Sequence, residues 1–401
     1  MLPLENVRIL DLTHVPPGQF CAMMLGDMGA EVLRVEQPPK SGGSGGGDAT
    51  ISKFEALMGS AYGAFNRNKR SIALNLRDEE ARRILYRLVE GTDVVVEGFR
   101  PGVAERLGID YQTLSNINPK IIYCSMSGYG QSGPYRDMPG HDINYVAIGG
   151  ALRMFGDPPP VIPNFIADYA GASLHAVIGI LLVLIARDKT GKGQHVDIAY
   201  TDGVVSLITQ FASAYFNTGD AAAVKSQQQM MFSNAGYGVY RTKDGNYISL
   251  GCVEPWFWQN LCQVLGREDF IAEFARWDKH EEIRSCFAET FLTKTREEWF
   301  DLLKGMNIPV GKVYDIDEVF TDPQVLHRQM LVELQDAKGR KEKHIGIPIK
   351  LTDTPGMIRS TAPTPGQHTE QVLLEQGYTR DDIEALCQRG AIFLPDAEEG
   401  S

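Results

Sequence analysis

The chain has 401 residues, 43% of them apolar, enough for a substantial core and two lobes, which excludes an intrinsically disordered protein. A net charge of −12 without long runs of like charge excludes a nucleic-acid-binding surface over the whole molecule, while leaving room for a local basic pocket. Six cysteines without a CxxC pair point to free, mostly buried thiols in a reducing, cytoplasmic setting.

In chain order, MLPLENVRILDL has no basic region followed by an apolar run, so no secretory signal is expected. Val7–Leu12 reads as a strand, Gly18–Met28 as a helix and Glu31–Glu36 as a second strand, a βαβ unit. Ser41–Asp48, SGGSGGGD, lacks the Lys-Ser/Thr ending of a phosphate loop and reads as mobile surface. Strands come next at Ser71–Leu76, Asp93–Phe99 and Ile121–Ser127, with an amphipathic helix at Asp78–Glu90. Near-continuous apolar strands separated by helices predict the α/β class with a mostly parallel, doubly wound sheet. Long helices are expected at Asp168–Arg187 and Thr201–Phe216. Ala170–Ala186 is the most apolar stretch; it contains His175 and lies at the lower length limit for a bilayer span. It is read as a buried core helix, with no membrane partner.

The pattern changes near 220. Residues 221–330 predict a smaller α+β domain, whose strands Gly238–Arg241 and Asn246–Gly251 flank the turn Thr242-Lys243-Asp244-Gly245. Residues 331–401 return to a strand at His344–Leu351 and helix at Gln367–Gln388. The expected division is therefore 1–220, 221–330 and 331–401.

Gly128-Tyr129-Gly130-Gln131-Ser132-Gly133 fits G-x-G-x-x-G. A dinucleotide turn needs these glycines to open a helix whose amino terminus holds the pyrophosphate. Here Pro134 and Pro139 interrupt the residues that would form this helix, and the acidic ribose partner expected about 20 residues on falls at Gly149-Gly150. The motif reads as a tight turn at the carboxyl end of a strand, still a place where α/β sheets bind ligands.

Three side chains offer acid–base or nucleophilic chemistry. His141 leaves this turn between Gly140 and Asp142. Asp168 opens the long apolar helix, where an ordinary N-cap and an ionised functional carboxylate are both open readings. Glu254 precedes Pro255 at a helix start, a position also common for structural reasons. No metal-ligand spacing and no GxSxG elbow occur, which leaves carboxylate and imidazole work.

With VRILDLTHVPPGQFCAMMLGDMGAEVLRVE, NRNKRSIALNLR, VVVEGFRPGVAERLGIDY, SGYGQSGPYRDMPGHDINY and IADYAGASLHAVIGILLVLIARDKTGKGQHVDIA, the chain resembles the family III CoA-transferases and the related α-methylacyl-CoA racemases over nearly its whole length. The resemblance implies an interlocked homodimer, with a Rossmann-like large domain built from both chain ends. It implies acyl-CoA as substrate, coenzyme A as part of that substrate, and no covalently bound cofactor. Implied CoA contacts are Leu74, Asn75, Leu76 and Arg77; Gly98, Phe99 and Arg100 with Arg106; and Gly140, Asp142, Ile143, Asn144 and Tyr145. Arg34 is a further candidate. Arginines suit the phosphates of CoA because their forks bind them in two-pronged fashion. The implied catalytic residues are His141, Asp168 and Glu254, the glutamate supporting the histidine.

GHDINY is the racemase form, and inverting an α-carbon needs a proton carrier on each face. The alternative is a transferase in which Asp168 attacks the thioester, and a third reading is a CoA-binding protein without turnover. A transferase often adds a glycine-rich covering loop; between Thr218 and Ser233 the chain has SQQQMMF instead.

Overall fold

The computed structural model describes residues 1–38, 63–335 and 339–395, and within 227–232 the backbone only. The mobile surface expected at Ser41–Asp48 lies outside the described residues. The strands are β1 (Arg8–Asp11), β2 (Glu31–Glu36), β3 (Lys69–Leu74), β4 (Val94–Glu97), β5 (Ile122–Ser127), β6 (His195–Ala199), β7 (Tyr237–Arg241), β8 (Tyr247–Gly251), β9 (Val310–Val313), β10 (Leu331–Gln335), β11 (Lys341–Ile345) and β12 (Ile392–Phe393). The central sheet has the order β12-β3-β2-β1-β4-β5-β6, and all its pairings are parallel except β12 with β3. The order reverses between β1 and β4, which makes the carboxyl ends of these two strands the topological switch point.

Alternation along the strands fills both faces. Ile9, Val94, Val96, Ile122 and Cys124 pack on one side with Ala22 and Leu25 of helix Pro16–Asp27. Leu10, Val95, Tyr123, Ile72 and Leu74 pack on the other with Ile84 and Leu85 of helix Glu79–Val89. That second helix begins where Asp78 accepts the backbone N–H groups of Glu80 and Ala81, an N-cap that satisfies two otherwise orphan donors. β1 to β5 lie where the apolar runs place them, displaced by a residue or two at their ends. β6 and β12 are additions to the expected strands. HVDIA alternates polar with apolar residues as an edge strand does, and β12 is only two residues long.

The segment Ile166–Ser173 is π-helical and continues as the α-helix Leu174–Thr190. Together they are long and apolar enough to cross a bilayer. The α-helical part buries one face, through Ala176, Ile180 and Val183, so the buried core helix expected there is buried on one side only. Leu174, Ile178, Leu182 and Ile185 form a stripe at helical spacing that is 40–61% exposed. The expected helix Thr201–Phe216 is two helices, Tyr200–Leu207 and Thr209–Thr218.

The chain divides into two compact units, 1–208 with 329–401, and 209–328. The sequence pattern puts these boundaries at 220 and 330. The first falls earlier because helix Thr209–Thr218 already belongs to the second unit. In that unit β7, β8 and β9 form an antiparallel sheet over a core that includes Trp258, Phe287, Phe291 and Trp299. All six cysteines are free thiols, four of them buried.

Candidate functional site

Three strand ends of the large unit build the site. At the end of β1, Asp11 is fully buried and accepts from Lys69 Nζ at 2.8 Å, Thr13 N–H at 3.0 Å and Thr13 Oγ1 at 2.6 Å. These bonds shape the turn that leads through His14 and Val15 into helix Pro16–Asp27. A side chain at Gly18 would meet Thr13 Cγ2 at 2.3 Å, so the helix enters tight against this turn. At the end of β4, Glu97 accepts the Phe99 N–H at 2.7 Å and bonds the Ser125 hydroxyl, which reaches His195 Nε2 at 2.9 Å. Burial pushes the Glu97 carboxyl up to about 7. This anchored turn, Gly98 to Pro101, leads to Arg106 on helix Val103–Leu107.

After β5 comes the glycine motif. No helix opens until Asp142, and Gly130 and Gly133 hold positive φ values of 89° and 96°. Gly128 is required for another reason: an added Cβ would lie 2.3 Å from Cε1 of Tyr145. Gly140 is under the same constraint, at 2.7 Å. The Tyr145 ring occupies that space and its hydroxyl donates to the Gly140 carbonyl at 2.5 Å. The glycines close a loop over a tyrosine and present His141 as N-cap of helix Asp142–Ile148. His141 caps through its backbone: its N–H donates to Asn144 Oδ1 at 3.0 Å and its carbonyl accepts the Asn144 N–H at 2.8 Å. The residue is exposed.

Asp168 is the third residue of the π-helical segment, whose N-cap is Phe165, so the N-cap reading is corrected. The π-turn is held by bonds such as Ala170 N–H to the Phe165 carbonyl at 3.1 Å. The Asp168 carboxyl is pushed up to about 6, chiefly by burial and then by the charge of Asp142, against the pull of a hydrogen bond with Asn164.

His141 and Asp168 line one cleft of about 840 Å³ at the switch point. Gly98, Phe99, Arg100, Arg106, Gly140, Asn144 and Tyr145 share its walls. A second cavity of about 320 Å³ is lined by Leu74, Leu76 and Arg77, and it shares His14, Phe99, Val103 and Arg106 with the first. Four expected contacts line neither. Arg34 pairs with Glu36 at 3.1 Å, and Asn75 bonds the Gly390 carbonyl at 3.3 Å. Asp142 is buried, and Ile143 is half-buried beside it. Glu254 belongs to the second unit, where it is the N-cap of helix Pro255–Val264 without a side-chain cap bond. The sequence reading missed His14, Tyr129, Asn164 and Tyr200, all on the cleft. Of these, Tyr129 lies within the glycine motif and Asn164 four residues before Asp168, both close in sequence to expected site positions. No grouping of three or more His, Cys, Asp or Glu able to hold a metal is found among the described residues.

The sequence profile of CoA-transferase family III matches residues 4–369. The chain belongs to CoA-transferase family III. Among similar family proteins is an acyl-CoA transferase of Fusarium pseudograminearum, 34% identical over 97% of this chain and 88% of its own length. Another is the α-methylacyl-CoA racemase of Homo sapiens, 32% identical over 96% of each chain. The crystal structure of a CAIB/BAIF family protein from Brucella suis superposes with a TM-score of 0.78 at 29% identity, covering 94% of this chain and 99% of that one. Family III membership thus spans two named reactions, and the cleft has to be read for which one it suits.

Proposed function

We propose that this protein epimerises the α-carbon of 2-methylacyl-CoA thioesters by proton transfer between His141 and Asp168. The observation that carries the reading is that one cleft is lined by both an imidazole, His141, and a carboxyl, Asp168, the latter raised to about 6. One group takes the α-proton, leaving an enolate on the thioester. The other returns a proton to the opposite face, so configuration is lost while composition is unchanged. The CoA moiety occupies the two adjoining cavities, with Arg77, Arg100 and Arg106 toward its phosphates. The part given to Glu254, support of the histidine, rests on the sequence motif. The active form is a homodimer, and what favours this is the uncovered stripe Leu174, Ile178, Leu182 and Ile185.

A second reading is favoured by the transferases among the similar proteins, such as the 34% identical acyl-CoA transferase and others at 31–33% identity. In it Asp168 attacks the thioester carbonyl and CoA leaves as the thiolate. The thiolate then attacks the Asp168 carbonyl of the mixed anhydride and releases the first acid as its carboxylate. An incoming carboxylate takes the CoA from the aspartyl thioester by the same two steps in reverse, freeing Asp168. Hydroxylamine trapping separates the two. The racemase reading expects no acyl or CoA adduct at Asp168 and loss of turnover in both His141→Ala and Asp168→Ala. An adduct at Asp168 together with near-normal turnover in His141→Ala would establish the transferase.

A further inference from the structure

Asp142 stands between the two reacting groups in a way its place among the expected CoA contacts does not explain. Its side chain is 3% exposed. Oδ2 accepts the backbone N–H of Ala167 at 2.8 Å and that of Asp168 at 2.9 Å. Oδ1 is buried without a hydrogen-bond partner among the described residues. The preceding residue is His141, and the backbone gripped by Oδ2 carries Asp168.

We infer that Asp142 is a positioning residue: its buried carboxylate ties the turn that presents His141 to the turn that presents Asp168, fixing one proton carrier relative to the other. The inference rests on the reading of Asp168 as a reacting carboxyl. A π-helical turn leaves backbone donors near its start without helical partners, and Asp142 supplies the acceptor for two of them. A carboxylate buried without a countercharge is costly, which argues for a role beyond packing. Its charge has a second effect, since it adds to burial in keeping the Asp168 proton on. The other ionisable groups around Asp168 are Tyr145 and Tyr200, both phenols held above their ordinary range by burial, with His141 and Arg100 on the shared cleft walls.

Two substitutions in the full-length protein separate the effects. Asp142→Asn keeps an oxygen that can accept both N–H bonds but removes the charge. The 13C carboxyl signal of Asp168, assigned by its loss in Asp168→Asn, should then titrate lower by on the order of one unit. The acid limb of the pH–rate profile should move with it. Asp142→Ala removes the acceptor, and kcat should fall by on the order of a hundredfold while the Kd for free CoA changes by less than about threefold. An unshifted Asp168 signal in Asp142→Asn, or an Asp142→Ala enzyme that loses CoA affinity and keeps kcat, would overturn the inference. Failure of the underlying reading looks different: Asp168→Asn would retain turnover, whatever the Asp142 variants do to the carbon signal.

Discussion

Asp168 shows how a single site is tuned. Burial disfavours its charged form, Asp142 adds like charge, and Asn164 only partly offsets both, so the carboxyl stays protonated to about pH 6. A folded-state value above the unfolded one contributes stability that is complete below the ordinary 3.8 and is lost as pH rises through about 6. Asp168→Asn cannot ionise and escapes that loss. Its melting temperature should therefore gain on the wild type between about pH 4 and about pH 7 in paired calorimetric scans. A constant difference would contradict the assignment. Arg100 gives a second expectation at this scale. It is exposed on the cleft wall, and Arg100→Ala should weaken CoA binding by about 1.5–3 kcal/mol, the range for charge-assisted bonds, measured by calorimetry. Unchanged affinity would remove it from the site.

At the scale of elements, the π-helical segment and helix Tyr200–Leu207 meet backbone to backbone. A Cβ on Gly203 would lie 1.9 Å from the Gly171 carbonyl oxygen, and backbone cannot swing aside as a flexible side chain does. Gly203→Ala should therefore push the segment bearing Asp168 away from the helix bearing Tyr200. The expected cost is about 1–3 kcal/mol in urea unfolding, with kcat falling further than stability explains. The βαβ start was legible because short apolar runs on either side of a helical stretch are local signals, though the helix begins at Pro16, two residues before the expected Gly18. His141 and Asp168 were legible through their motifs. The π-turn, the inward set of Asp142 and the cleft position of Tyr200 were not, because each depends on contacts between segments far apart in the chain. The single-sided burial of helix Leu174–Thr190 escaped for a related reason: its residues are apolar all round, so periodicity cannot say which face the fold covers.

For the whole molecule, the strand order β3-β2-β1-β4-β5-β6 directs three loops to one switch point, and the cleft sits there. The α/β class and parallel sheet could be read from the alternation of elements. The antiparallel β12 and the order of strands could not, since pairing partners are not encoded in a single run of residues. The open stripe on helix Leu174–Thr190 leads to the expectation of a dimer that resists dilution. Sedimentation down to nanomolar protein should show one species at twice 44.3 kDa, and an active monomer would refute it. The proposed reaction is proton exchange at carbon between His141 and Asp168. Its most direct test is incubation of a single-configuration 2-methylacyl-CoA with the enzyme in deuterated water, with mass and chirality analysis of the product. The expected product carries α-deuterium and has lost its configuration, and neither His141→Ala nor Asp168→Ala inverts its substrate. No α-deuterium over a panel of branched acyl-CoAs, with CoA moving instead to added carboxylic acids, would contradict it.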